Sequence, residues 1–227
     1  MAWAPEAGAG AGPDAEGWTP ETAAARDALL ARIHSAVTLD RETPNATPVV
    51  LIDGPSGAGK SSLADLLAAR WPAAAQPRIL RMDDLYPGWD GLDAASRALG
   101  ADLLEPLVRS GRGRWRRWDW TAERPAEWQE LGGADPLIVE GCGALARANL
   151  RWARLALWLD ADTTLRKARA LERDGDLFAR HWDRWQGQFE RYLAREDPRT
   201  NAHLRLDVTD WPIGTPRRRA SGTTVVP

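Results

Sequence analysis

The sequence predicts an α/β domain, with a five-stranded parallel sheet lying between helices in a three-layer α/β/α arrangement. Five short apolar runs lack the alternation of half-exposed strands: Val49-Val50-Leu51-Ile52, Arg78 to Met82, Leu137 to Val139, Leu155 to Leu159 and Leu204 to Val208. Helical patterns separate them, and strands alternating with helices give a parallel sheet covered on both faces. A glycine-rich turn directly after the first run marks the strand carboxyl ends, where such sheets bind ligands.

Composition sets the outer bounds. The chain has 227 residues, enough for one α/β domain with insertions and a substantial core. Thirty basic against 32 acidic residues leave a net charge of −2, which argues against a strongly basic nucleic-acid-binding face. No apolar run approaches the ~18 residues of a membrane span, and residues 1–12 lack the pattern of a secretory signal. The single cysteine, Cys142, forms no internal disulfide and suits a reducing compartment, so a cytoplasmic location is expected. Only two of the basic residues, Lys60 and Lys167, are lysines, which makes each of them more informative than any one arginine.

From the amino end, residues 1–18 are Ala/Gly/Pro-rich and predict a disordered tail. Thr19 and Pro20 open a helix as N-cap and first-turn proline, and Leu29, Ile33 and Val37 give it one apolar stripe. This helix and a Pro/Asn/Thr linker occupy residues 19–47, ahead of the main domain at 48–212. After the first apolar run, Leu63, Leu66, Leu67 and Trp71 recur at helical spacing. Residues 213–227, with Arg217, Arg218 and Arg219, read as a second, solvated tail.

Between the first run and its helix lies Gly54-Pro55-Ser56-Gly57-Ala58-Gly59-Lys60-Ser61-Ser62, a full G-x-x-x-x-G-K-[ST] pattern in the required strand–turn–helix context. Glycines let the backbone curl so that successive N–H groups face phosphate oxygens, and the helix N-terminus adds partial positive charge. Lys60 supplies a mobile point charge for the outer phosphates, and Ser61 a hydroxyl for Mg²⁺. The structural alternative is a glycine-rich turn with an exposed lysine. One of the chain's two lysines stands where the pattern requires one, and this favours a nucleoside-triphosphate site.

Two later strands also end in acids: Arg81-Met82-Asp83-Asp84-Leu85-Tyr86-Pro87 and Leu137-Ile138-Val139-Glu140-Gly141. In-line phosphoryl transfer needs a metal near the β/γ phosphates and a group to orient or deprotonate the attacking hydroxyl. Asp83 and Glu140 are placed for those tasks, although acids after strands also serve as turn formers and N-caps. Neither an N-K-x-D guanine-reading motif nor the L-S-G-G-Q pattern of transporter ATPases is present.

Together these motifs resemble the uridine kinase and pantothenate kinase branch of P-loop small-molecule kinases, over residues 48–210. The resemblance implies a P-loop NTPase fold with a small substrate-binding insertion and a helical lid, using ATP and Mg²⁺. It implies that Asp83, in a D-[DSG]-F-[YL]-like segment with Leu85 as the departure, is the catalytic base and that Tyr86 lies beside the substrate. The resemblance also implies that Glu140, before Gly141, assists with Mg²⁺. Trp118-Asp119-Trp120 occupies the place of the family's Tyr-Asp-Phe-like segment, in which Asp holds a ribose; the substrate hairpin is expected over 111–131.

The stretch 115–128 sets Trp115, Trp118, Trp120 and Trp128 among Arg114, Arg116, Arg117 and Arg124. Aromatic faces and guanidinium groups there suit a flat ring, but the same residues suit a small aromatic core under a hairpin. Such interleaving also fits single-stranded nucleic acid, a reading the near-neutral charge and the kinase motifs disfavour. After the fourth strand run, Arg166, Arg169 and Arg173 share one helical face. Arg173-Asp174 is similar to the family's Arg-Asp pair, which implies a phosphate-clamping lid over 162–195, with Arg180 as a further candidate; the family's Arg-Gly-Arg is absent, and a solvated helix face is the alternative. Asp174-Gly175-Asp176 offers a hinge. His34 reads as a boundary residue beside the first helix's apolar stripe, His181 and His203 have no second ligand at metal spacing, and Cys142 reads as a buried small residue rather than a nucleophile.

The expected activity is ATP- and Mg²⁺-dependent transfer of the γ-phosphoryl group to a small-molecule alcohol, foremost the 5′-hydroxyl of a nucleoside such as uridine or cytidine. Lys60 and Arg173 would stabilise the transferring group. Pantothenate or sugar kinases, and a nucleotide-binding regulator without catalysis, are the alternatives. No nucleic acid or membrane partner is expected, and the sequence carries no signature of oligomeric state.

Overall fold

A computed structural model describes residues 20–38, 47–71, 75–133 and 135–210. The expected tails, the Thr19 N-cap and most of the linker before Thr47 lie outside the described residues.

Helix α1 (Pro20–Thr38) precedes the first strand, β1 (Val49–Asp53), which leads through the glycine-rich loop into α2 (Lys60–Ala69). Strand β2 (Arg78–Arg81) ends in a 3₁₀ turn over Met82–Asp84. Helix α3 (Leu92–Ala98) runs on through a π-helical stretch, Leu99–Leu104, into α4 (Glu105–Ser110). An antiparallel hairpin, β3 (Arg112–Asp119) and β4 (Arg124–Gly132), stands outside the main sheet. The chain then forms β5 (Leu137–Glu140), α5 (Arg147–Leu150), β6 (Leu155–Asp160), the long α6 (Thr163–Glu196), α7 (Pro198–Asn201) and β7 (Leu204–Asp207).

The main sheet has five strands in the order β2-β5-β1-β6-β7, with every described pairing parallel. All five expected runs become its strands. β1 is central and buried along its whole length, as expected of a run without alternation. Its residues alternate between two cores. Val50 and Ile52 pack with Leu29, Ile33 and Val37 of α1 and Leu63 and Leu67 of α2. Val49 and Leu51 join the opposite core, formed with Leu92, Leu99 and Leu103 and with Phe178, Trp185 and Tyr192 of α6.

Two consequences position the site. Consecutive strands β1 and β2 are separated in space by β5, so the carboxyl ends of β1, β2 and β5 lie side by side with Ile52 and Arg81 both in register with Glu140. The long helix α6 also bends at Gly175, whose φ of 68° and ψ of −157° interrupt the helical geometry. Beyond that bend Phe178, Trp182, Trp185, Phe189 and Tyr192 are buried, so the carboxyl-terminal part of the expected 162–195 lid region packs into the core. Among the described residues, no helix is long and apolar enough to cross a membrane.

Candidate active site

The loop after β1 is shaped by two close approaches. Gly54 (φ 147°) lies against the Leu159 carbonyl and Gly57 (φ 79°) against the Arg166 carbonyl; at either position a Cβ would overlap the carbonyl oxygen. Only glycine fits both the space and the backbone geometry. Within the loop Ala58 N–H donates to Pro55 O at 3.2 Å, while the N–H groups of Gly57, Gly59, Lys60, Ser61 and Ser62 find no acceptor among the described residues. Gly59 caps α2 without a side-chain hydrogen bond. Several adjacent donors at a helix N-terminus, with no protein acceptor, form a cradle for an anion.

Lys60 is folded back over this loop, donating from Nζ to Gly54 O at 2.8 Å and Pro55 O at 2.9 Å. Ser56 Oγ accepts from the indole of Trp185 at 3.1 Å, which anchors the loop to α6. Below it, Asp53 is fully buried and accepts from Tyr192 Oη at 2.7 Å and from the N–H groups of Gly54, Gly143 and Leu145. Burial still pushes its carboxyl above the ordinary range, against these bonds and the nearby Lys60 charge.

Ser61 and Glu140 meet: Ser61 Oγ donates to Glu140 Oε1 at 2.8 Å. A hydroxyl beside a carboxylate is a hard-oxygen donor set, which fits Mg²⁺. Asp83 stands in the turn after β2. Part of its surface is exposed, but its carboxyl lies deep among protein atoms. Burial and the neighbouring Glu140 charge raise its pKa to about 8, opposed by Arg173 and Lys60. Such a carboxyl is tuned towards the range of a general base working near neutrality.

Arg173, near the bend of α6, makes a bidentate pair with Asp174, at 2.7 Å and 2.6 Å. Burial works against its charge, and Asp174, Asp83 and Glu140 together outweigh that effect. Of the expected lid arginines, Arg173 thus belongs electrostatically to the site. Arg166 is buried where its backbone meets Gly57, and its Nη1 has no hydrogen-bond partner among the described residues. Its guanidinium lies 5.8 Å from the Trp182 ring centroid. Arg169 is half-buried and Arg180 exposed, with no pairing to the residues above.

The hairpin reaches this site through Trp120, whose Nε1 donates to the Asp83 carbonyl at 2.9 Å. Trp120 also meets Trp89 edge-on at 5.3 Å between centroids, and Trp89 stacks on His181 at 4.2 Å. Trp118 approaches Gly88, and its buried Nε1 lacks a partner among the described residues. Asp119 Oδ1 accepts from the N–H groups of Thr121 and Ala122, both at 3.0 Å, and so shapes the hairpin turn. Tyr86 departs from expectation. It is fully buried, lies 4.8 Å edge-on from Trp185 and donates to Cys142 O at 2.8 Å, so both ring and hydroxyl are committed within the core. Cys142 is buried as expected, and burial raises its thiol pKa.

Sequence reasoning missed Asp53, Arg81, Trp89 and Tyr192. Asp53 carried a readable signal, as an acid closing a wholly apolar strand. Tyr192 lies 139 residues from Asp53, and no local pattern joins the two.

No family model matches the chain, and no curated protein matches it by sequence. Solved structures do resemble it. A possible uridine kinase from Bacillus stearothermophilus superposes with a TM-score of 0.59 at 19% identity, covering 82% of this chain and 100% of that one. An inferred fructose transport system kinase from Silicibacter sp. TM1040 gives a TM-score of 0.51 at 18% identity, covering 78% of this chain and 98% of its own. In its five-stranded parallel sheet and flanking helices the chain has a P-loop kinase-like fold.

Proposed function

We propose that the protein is an ATP- and Mg²⁺-dependent phosphotransferase acting on an alcohol group of a small molecule. The observation that carries this reading is the convergence of the N–H groups of Gly57 and residues 59–62, which have no acceptor among the described residues, with the Asp83 and Glu140 carboxylates. A cradle alone would serve any phosphate ligand; a desolvated carboxylate beside it adds a proton acceptor. Both structural neighbours described above are kinases by name, which agrees with the reading.

In this mechanism the loop amides bind the triphosphate, and Lys60 exchanges its two carbonyl partners for phosphate oxygens. Mg²⁺, held by Ser61 and Glu140, would supply neutralisation of charge on the β and γ phosphates. Asp83 accepts the proton of the attacking hydroxyl. Arg173, kept in place by Asp174, stabilises charge on the transferred group, and Arg166 contributes positive charge beneath the loop. Trp118, Trp120 and Asp119 of the hairpin border the acceptor.

For the acceptor we propose the 5′-hydroxyl of a nucleoside, with Trp118 against the base and Asp119 Oδ2, which has no hydrogen-bond partner among the described residues, towards the sugar. A second reading, a sugar or another small alcohol such as pantothenate, is favoured by the packing of Trp120 on Trp89 and by the use of Asp119 Oδ1 in its own turn. Both fit a cytoplasmic enzyme. A panel of nucleosides, sugars and other alcohols with labelled ATP tests the reading. Transfer to one class, lost in Asp83→Asn with ATP binding retained, is the expected outcome. ATP binding with only slow hydrolysis across the whole panel points instead to a nucleotide-binding regulator.

A further inference from the structure

Arg81 closes β2 directly beside Glu140, its in-register partner at the end of β5. Its two terminal nitrogens take separate carboxylates: Nη1 donates to Glu140 Oε1 at 2.8 Å, and Nη2 to Asp65 Oδ1 on α2 at 2.8 Å. Ser61 Oγ reaches the same Glu140 oxygen, also at 2.8 Å. Both donors therefore converge on Oε1, and Oε2 accepts no hydrogen bond among the described residues. The Glu140 side chain is only 4% exposed, against 22% for Arg81 and 59% for Asp65.

These facts assign different weights to the two arms of Arg81. An ion pair to the exposed Asp65 is worth little, because water and salt screen it. The arm to Glu140 compensates a carboxylate withdrawn from water, which cannot stay charged and fixed without a partner. A guanidinium also constrains direction as well as charge, since its planar fork locks the angle at which it meets an oxygen. With Arg81 and Ser61 both donating to one oxygen, the Glu140 carboxylate is held in one orientation that leaves its other oxygen without a hydrogen-bond donor among the described residues.

We infer that Arg81 is a positioning residue for the divalent cation: it caps Glu140 Oε1 and reserves Oε2 for the metal. This rests on the reading that Ser61 and Glu140 hold that cation. The competing role is a strut, in which Arg81 merely ties α2 to the sheet through Asp65. A strut affects stability alone; a positioning residue affects metal affinity, and partners that orient metal ligands typically change it about 10–100-fold when removed.

The test uses the full chain, with Mn²⁺ as a spin probe for Mg²⁺ and ADP as the nucleotide. Free Mn²⁺ is measured by electron paramagnetic resonance, with thermal melts of the metal-free protein alongside. Arg81→Met is expected to weaken Mn²⁺ binding in the ADP complex about 10–100-fold while metal-free ADP binding stays within about twofold. Asp65→Asn should keep Mn²⁺ affinity within about threefold, because it leaves the Glu140 arm intact. Arg81→Lys, which keeps the charge but loses the fork, should fall between wild type and Arg81→Met, and it carries the test if Arg81→Met does not fold.

Wild-type Mn²⁺ affinity in Arg81→Met or Arg81→Lys, whatever the melting temperature, overturns the inference in favour of the strut. Tighter binding overturns it too, since Arg81 would then act only by repelling the cation. If the wild-type protein binds ADP but recruits no Mn²⁺, the inference falls together with the metal role of Ser61 and Glu140. If it binds no ADP, the phosphate-cradle reading fails.

Discussion

Trp120 of the hairpin donates its indole N–H to the main-chain carbonyl of Asp83 at 2.9 Å. A two-stranded ribbon is marginal by itself, so its position over the site depends on such docking contacts. The bond links the hairpin proposed to border the acceptor to the turn that carries the proposed base. Trp120→Phe keeps most of the ring and removes the donor, at a cost of about 0.5–1.5 kcal/mol. The expected result is a fall of roughly 3–10-fold in acceptor kcat/KM with ATP affinity unchanged, checked by steady-state kinetics and nucleotide titration. A loss confined to ATP affinity would show that the bond does not serve the acceptor side.

Asp83 gives a prediction with a definite sign. Only the ionised carboxylate accepts a proton, and burial together with Glu140 raises its pKa to about 8. Acceptor kcat/KM should therefore climb with pH through the region near 8 and level off above it. Arg173 opposes the raised pKa, so Arg173→Met should displace this rising limb to higher pH as well as lowering the rate. Asp83→Asn should cut transfer by about 10²–10⁴-fold and abolish the limb. Profiles from about pH 6 to about pH 9 decide the matter; a limb that persists unchanged in Asp83→Asn assigns the titration to another group.

The parts of this site that were legible in the sequence are those fixed by local geometry. Lys60 and Ser61 follow from the spacing of Gly54 and Gly59, and Asp83 and Glu140 from their place at strand ends, where a parallel sheet gathers its ligands. Tyr86 lies away from the place the resemblance implies because neighbouring residues of a turn point different ways: the backbone that carries Asp83 turns Tyr86 onto Trp185. Arg81 was silent because its meaning depends on the cross-strand register with Glu140, 59 residues away. The region after Thr163 read as one arginine-bearing face, and that signal masked the aromatic stripe from Phe178 to Tyr192 that packs the same helix into the core.

Gly57 offers a test of the loop independent of any substrate. A Cβ there would overlap the Arg166 carbonyl, and the φ of 79° is itself unfavourable for alanine. The neighbour is backbone at the start of α6, so it has little freedom to yield. Gly57→Ala should weaken ATP binding at least about tenfold and lower the melting temperature by several degrees. Calorimetric titration and thermal melts measure both; ATP affinity within about twofold of wild type would mean that the loop's curvature is not needed for binding.

Asp53 and Tyr192 predict how stability depends on pH. Asp53 is fully buried, and its pKa is raised above the unfolded value, chiefly by burial. The folded state thus holds this proton more tightly than the unfolded chain. Its contribution is complete below the unfolded pKa and is lost as pH rises through the folded one. The Tyr192 hydroxyl, at 2.7 Å, favours the ionised carboxylate and limits that loss. Tyr192→Phe retains the ring in the core but removes the donor, so the folded pKa of Asp53 rises further. A hydrogen bond to a charged group contributes about 1.5–3 kcal/mol, and the variant should be destabilised by about that amount where Asp53 is ionised in the folded state. As pH falls through the raised folded pKa, the difference should shrink to roughly that of a neutral bond, about 1 kcal/mol. Denaturant unfolding across a pH series distinguishes this from simple loss of packing, which would destabilise the fold equally throughout.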